Sequence, residues 1–307
     1  MPKSAAEVRT AIRGPVSSLP TIFTRDGAVD HDGIRSVVEH SLQNSCEVVM
    51  LTWGNSLVSL LTDQELADVH RTVIDQVRSR ALTVACDNMW GLPKTVEFGR
   101  FVRDLGYDVY MVRPAEWALG TPDDVAHFVR TVAIETPVML VGDVEIRTCE
   151  LLEDEANLCS FKEDRALDRA HEILIRWGDK WPMIGGGGMQ RHHLLWPHGH
   201  CNAWLDRFIC CWPEPSLNYW AALQANDPST AWTVIENIEA PLTAFANSAR
   251  YGRDGVSKHA MLELMGVAPR WRRSPAPNAT DAEMDELRDF LAGLGAPVSP
   301  TATNLDT

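Results

Sequence analysis

The stretch CEVVMLTWGNSLVSLLTDQELADVHRTVIDQVRSRALTVACD, residues 46–87, contains one full unit of the fold. Residues 46–52 and 82–87 are apolar runs of strand length. Between them Thr62 and Glu65 have capping-box spacing, and Leu66, Val69, Val73 and Val77 recur on one helical face. Neither strand alternates apolar with polar residues, so both of its faces are expected to be covered. Near-continuous apolar strands joined through an amphipathic helix imply a parallel sheet under helices.

Working outward, the same kind of run occurs at 15–22, 108–114, 137–142, 157–162, 181–185 and 203–210, which makes eight candidate strands. Ile34, Val37, Val38 and Leu42 form the buried stripe of a helix over 30–44. Thr121 caps another, with Pro122 at its first helical position. Eight strand–helix units predict an α/β fold, a closed (β/α)8 TIM barrel, rather than an open sheet. From about residue 214 only helical segments remain. The reading is therefore a barrel over 1–226, a C-terminal helical domain of about three helices over 227–295, and a disordered tail over 296–307.

A formal charge of -14 over 307 residues argues against nucleic acid as a partner. Arg270, Arg272 and Arg273 come nearest to a basic patch, on a Pro-rich loop. No window reaches the roughly 18 apolar residues of a membrane span, and the N-terminal segment lacks a signal-peptide core. Seven cysteines without disulfide spacing read as reduced thiols in a cytoplasmic protein. Trp196, Trp204, Trp212, Trp220 and Trp232 suit either packing between helices or an aromatic-lined pocket.

Chemistry concentrates at NLCSFKEDRA, 157–166, where an apolar strand ends on Lys162 and breaks into charge. In a (β/α)8 barrel the C-terminal ends of strands face the active site. A partly desolvated lysine there can attack a carbonyl, although position alone favours a loop or structural lysine. His192, His193, His198 and His200 lack the spacing of a metal centre, and no metal is expected. The glycines at 185–188 have neither a Walker nor a dinucleotide pattern, so they read as a tight turn.

From about Arg13 to Leu294 the chain resembles the dihydrodipicolinate synthase / N-acetylneuraminate lyase family of Schiff-base aldolases. LPTIFTRDGAVDHDGIRSVVEHSL resembles the family opening, and TWGNSLVSLLTDQEL its Gly-Thr-Thr-Gly-Glu loop. PVMLVG occupies the place of its Pro-Val-x-x-Tyr-Asn strand. CSFKED resembles the Gly-Ile-Lys-Asp/Glu strand, and GVSKHAMLELMGVAP the late Val-Lys-x-x-Leu helix.

The resemblance implies that Lys162 forms an imine with pyruvate or another 2-oxo acid or carbonyl compound, without an organic cofactor. It implies carboxylate binding by Gly54, Asn55 and Ser56, recruitment by Arg147, and Gly185 in the glycine turn near the site. It also implies a homo-oligomer, tetramer or dimer. The sequence departs from the family where the fifth-strand tyrosine relay falls on Val141, and where paired aromatics after strand four fall near Glu116 and Trp117. Asp143, Glu116 and Asp87 are the carboxylates whose position suits a replacement acid/base. The expected function is a lyase, aldolase or hydro-lyase. The alternative is a family member with impaired catalysis that binds a small molecule.

Overall fold

The computed structural model describes residues 2–114, 118, 120–142, 144–164, 166–248 and 255–298. Eight strands close into a barrel in sequence order: β1 Gly14–Ser18, β2 Val48–Met50, β3 Leu82–Cys86, β4 Val109–Val112, β5 Val138–Val141, β6 Leu158–Glu163, β7 Met183–Gly185 and β8 Ala203–Asp206. The pairings from β2 through β8 are parallel. Strands β2 to β7 are buried at every position, as expected for a sheet with filled interior and helix-covered exterior.

The helices up to the end of the barrel are α1 Ala5–Ala11, α2 His31–Gln43, α3 Asp63–Val77, α4 Leu92–Leu105, α5 Pro122–Ala133, α6 Ile146–Leu152, α7 Leu167–Trp177 and α8 Met189–Leu195. Capping boxes close at Thr62/Glu65 and at Thr121/Asp124, so the local signals read from sequence fix these starts. After β8 come α9 Pro213–Gln224, α10 Pro228–Val234, α11 Ala240–Ala246, α12 Val256–Leu264 and α13 Asp281–Gly293.

By internal packing the chain divides into two compact units. One comprises Met1–Val16, Glu47–Met50 and Ser79–Leu205, and the other Ser17–Cys46, Leu51–Arg78 and Asp206–Thr307.

Two strands end sooner than their apolar runs. The run at 203–210 stops at Asp206, whose carboxylate accepts from the N–H groups of Phe208 (2.7 Å) and Ile209 (2.6 Å) and from Ser216 (2.7 Å), bending the chain into a turn. The run at 15–22 stops at Ser18, before Pro20. The single helical pattern over 228–249 is interrupted by a π-helical turn at Ile235–Glu239, just before Pro241. Proline lacks the N–H that an unbroken α-helix would use there. The tail beyond residue 298 lies outside the described residues.

Candidate active site

A bulge sets the geometry of β6. Against β5, Val138 pairs with Leu158 but Met139 already pairs with Ser160, so Cys159 is the extra residue. Its thiol donates to the Val138 carbonyl (3.2 Å). Such an insertion re-aims the side chains that follow it. Lys162 then falls between Val141 on β5 and Ile184 on β7, at the C-terminal end of its strand. It is only 4% exposed. Lysine is almost never this buried without a partner, and its ammonium is ion-paired with Asp164.

The backbone around this pair is tightly held. The Gly142 N–H donates to the Lys162 carbonyl (3.1 Å), and the Gly186 N–H donates to that of Glu163 (2.7 Å). Glu163 is buried and ion-paired with Arg191 on α8. A side chain at Gly186 would collide with the Glu163 carbonyl oxygen and the Asp164 carboxylate, so glycine is required for β7 to close against the end of β6.

A cavity of about 60 Å³ adjoins the site, lined by Arg113, Pro114, Val141, Val144, Glu145 and Thr148 among others. Arg113 follows β4 and lies across Gly142, its guanidinium nitrogen 3.6 Å from where a Cβ would be.

The other ionisable groups nearby are engaged. Asp87, buried at the end of β3, accepts from Tyr110 (2.7 Å), Thr95 (3.0 Å) and the Met89 N–H (2.9 Å). Tyr110 packs on Phe98 and Gly99 of α4, so it faces the helix layer. Burial, reinforced by the Asp87 charge, holds its phenol well above the ordinary range. Burial likewise pushes the Cys86 thiol well up, Asp87 adds to this, and the Lys162 charge opposes it.

The turn at 52–56 belongs to the other compact unit and is wired internally. Ser56 Oγ donates to the Leu19 carbonyl (2.6 Å) and accepts from the Thr52 N–H (2.8 Å). Asn55 donates to Ser18 (2.8 Å), which also bonds Thr52 (3.0 Å). The Ser56 hydroxyl therefore has its one proton engaged. What the turn presents instead is backbone: among the described residues no acceptor meets the N–H groups of Trp53, Gly54 or Asn55. Successive amides of this kind suit an anion.

Of the residues singled out in the sequence, Val141 is the strand neighbour of Lys162, and Gly185 pairs with the next residue, Glu163. Arg147 is elsewhere, on the first turn of α6, 60% exposed and paired with Glu150 (3.2 Å). Glu116, Trp117 and Asp143 lie outside the described residues. His192 is a core residue: it bonds the Cys201 carbonyl (2.9 Å), packs on Trp204, and is driven down to about 3 by burial. Trp204 and Trp212 are buried packing residues. Asp164 was missed by sequence reasoning. Its signal was its i+2 spacing from Lys162, which on an extended chain puts two side chains on one face.

These features define a (β/α)8-barrel protein whose buried ionisable site lies where its parallel strands end. No protein-family model matches the chain. It is 26% identical over 128 residues to N-acetylneuraminate lyase of Haemophilus influenzae, covering 41% of this chain and 43% of that protein. It is 26% identical over 184 residues to 4-hydroxy-tetrahydrodipicolinate synthase of Geobacter sulfurreducens, covering 57% and 63%. The chain thus spans less than two thirds of the length of these curated relatives. Among solved structures it superposes, with a TM-score of 0.80 at 17% identity over 92% of this chain and 98% of that one, on YagE of E. coli K12, a dihydrodipicolinic acid synthase family protein in complex with pyruvate. Over part of its length the chain is thus similar in sequence to an N-acetylneuraminate lyase and to a 4-hydroxy-tetrahydrodipicolinate synthase, and it shares the fold of a dihydrodipicolinic acid synthase family protein.

Proposed function

We propose that this protein is a lyase of the aldolase or dehydratase type that binds pyruvate or another 2-oxo acid as an imine at Lys162. The observation that carries this is the burial of Lys162, at 4% exposure, at the C-terminal end of β6. An amine in that position is positioned for a small carbonyl compound and shielded from bulk water. The cavity lined by Arg113 and Val141 gives room for the substrate body. The lysine itself supplies the electron sink, so no organic cofactor is needed. Within the other compact unit, the amides at 53–55 suit an anion such as a carboxylate, with Ser56 shaping the turn.

The relatives are named as a lyase and a synthase, and YagE holds pyruvate; both support this reading over a purely binding role. Among the described residues no helix is long and apolar enough to cross a membrane. A cytoplasmic homotetramer or dimer belongs to the same proposal, checked by light scattering on the purified protein.

The test is reductive trapping. The protein is incubated with pyruvate and cyanoborohydride, and the adduct is located by mass spectrometry. A single adduct on Lys162, absent from Lys162→Met, is expected. An adduct on another lysine, or none with any 2-oxo acid tried, would end the proposal.

A further inference from the structure

Resting on the imine reading, we infer that Asp164 is a catalytic residue: its carboxylate moves protons to and from the Lys162 nitrogen and the adjacent substrate carbon. The fifth-strand position that carries a tyrosine in the family is Val141 here, directly beside Lys162, and valine transfers no proton. Tyr110 does not replace it, because it faces α4 and donates to Asp87. Asp87 already accepts three hydrogen bonds, and Glu163 is paired with Arg191. Among the described residues, Asp164 is the ionisable group in contact with the Lys162 nitrogen.

Its setting suits a group that must cycle between two protonation states. The lysine side chain is 5% exposed and the aspartate 36%, so one end of the pair is enclosed while the other reaches solvent and can exchange protons with it. The carboxylate is seated over Gly186, where no side chain fits, and the Glu163 carbonyl is tied to the Gly186 N–H. Asp164 is therefore held in place without being saturated by other donors.

The sequence of steps balances. Asp164 takes one proton from the ammonium, leaving a neutral amine and a carboxylic acid. The amine attacks the 2-oxo carbon, a C–N bond forms, and the carbonyl electron pair moves to oxygen. A proton passes from nitrogen to that oxygen, giving a carbinolamine. Asp164 then returns its proton to the hydroxyl, the C–O bond breaks, water leaves, and the nitrogen lone pair closes the iminium. The ammonium, carboxylate and ketone have become iminium, carboxylate and water. The regenerated carboxylate can next remove a proton from the carbon beside the iminium, giving a neutral enamine and the carboxylic acid.

That last step can be read separately from imine formation. Wild type, Asp164→Asn and Asp164→Glu are each given pyruvate, with trapping read by mass spectrometry and methyl-proton exchange in D2O read by NMR. The expected result is a Lys162 adduct in all three, formed more slowly in Asp164→Asn, with exchange reduced about 10²–10⁴-fold in Asp164→Asn and largely retained in Asp164→Glu. Exchange at the wild-type rate in Asp164→Asn overturns the inference. So does parallel loss of adduct and exchange in both variants, which marks a residue that only positions the lysine. A wild-type adduct without exchange overturns it while the imine stands, whereas no wild-type adduct removes the imine reading and this inference together.

Discussion

Replacing Gly186 with alanine tests whether the end of β6 is as tightly built as its geometry states. The added Cβ would lie 2.9 Å from the Asp164 Cα and closer still to the Glu163 carbonyl oxygen and the Asp164 carboxylate. The carboxylate can rotate away, but the carbonyl oxygen is backbone and already accepts from the Gly186 N–H (2.7 Å). Relief therefore requires the two chain segments to separate by roughly 0.7 Å or more. Overpacking of that kind costs about 1–3 kcal/mol. Weakening the hydrogen bond adds about 1 kcal/mol. For a chain of this size the sum lowers the melting temperature by roughly 3–6 °C.

The matched control is Gly54→Ala, where a Cβ meets nothing within 4 Å. Its stability should stay within about 0.5 kcal/mol of the parent. Both variants are followed by thermal unfolding, and Gly186→Ala also by the rate of cyanoborohydride trapping. That rate should fall, because displaced Asp164 no longer meets Lys162. Equal melting temperatures for the two variants would refute the steric reasoning. A Gly186→Ala with a lowered melting temperature but unchanged trapping would refute the link from Gly186 to the lysine.

Three further outcomes are expected. Lys162→Met should abolish the adduct while leaving the melting temperature level or higher, since an apolar side chain replaces a buried charge and Asp164 keeps partial hydration; a large loss of stability would show that the ion pair holds the barrel together. Glu65 is held down at about 2, from 4.5, chiefly by its hydrogen bond from Arg273. Its pair therefore stabilises fully above about pH 4.5 and is lost as pH falls towards 2; after discounting for partial exposure, Glu65→Gln should remove about 1–2 kcal/mol of acid sensitivity in urea titrations over that range. Burial holds His192 and His259 at about 3, from 6.5, so their contribution is full above pH 6.5 and declines as the unfolded chain takes up protons below it. Each should remove about 2 kcal/mol between pH 6.5 and 5.0, and a urea midpoint that is flat over that interval would contradict their burial.

The fold was legible because its signals are local and repeated. The eight apolar runs and the Thr62/Glu65 cap each report on a few consecutive residues, and parallel strands buried on both faces leave little ambiguity of period. The strand ends were less legible. Apolarity continues through Phe208 and Ile209, but the Asp206 carboxylate captures their N–H groups and ends the strand. That competition between side chain and ladder depends on where a single oxygen points, which hydrophobicity does not encode.

The site divides along the same line. Lys162 stands out because a lysine closing an apolar strand is a conflict visible in one dimension, and Val141 because it falls where the family the chain resembles has a tyrosine. Asp164 is two residues from Lys162, yet it lay within a run of charges, Glu163, Asp164 and Arg165, that read as solvent-facing. The structure separates that run: Glu163 turns inward to Arg191, and Asp164 turns to the lysine. Adjacent carboxylates thus have opposite directions and different partners, a distinction produced by the extended chain and by the glycine at 186 that lets β7 approach. Only Glu163 is buried, and a buried carboxylate is costly unless it meets a cation, as it does in Arg191; Asp164 meets Lys162 while keeping contact with solvent. The lysine's burial and the divergence of its two acidic neighbours are accordingly one structural solution, and a sequence that changed Asp164 would leave the buried Lys162 ammonium without this counter-charge.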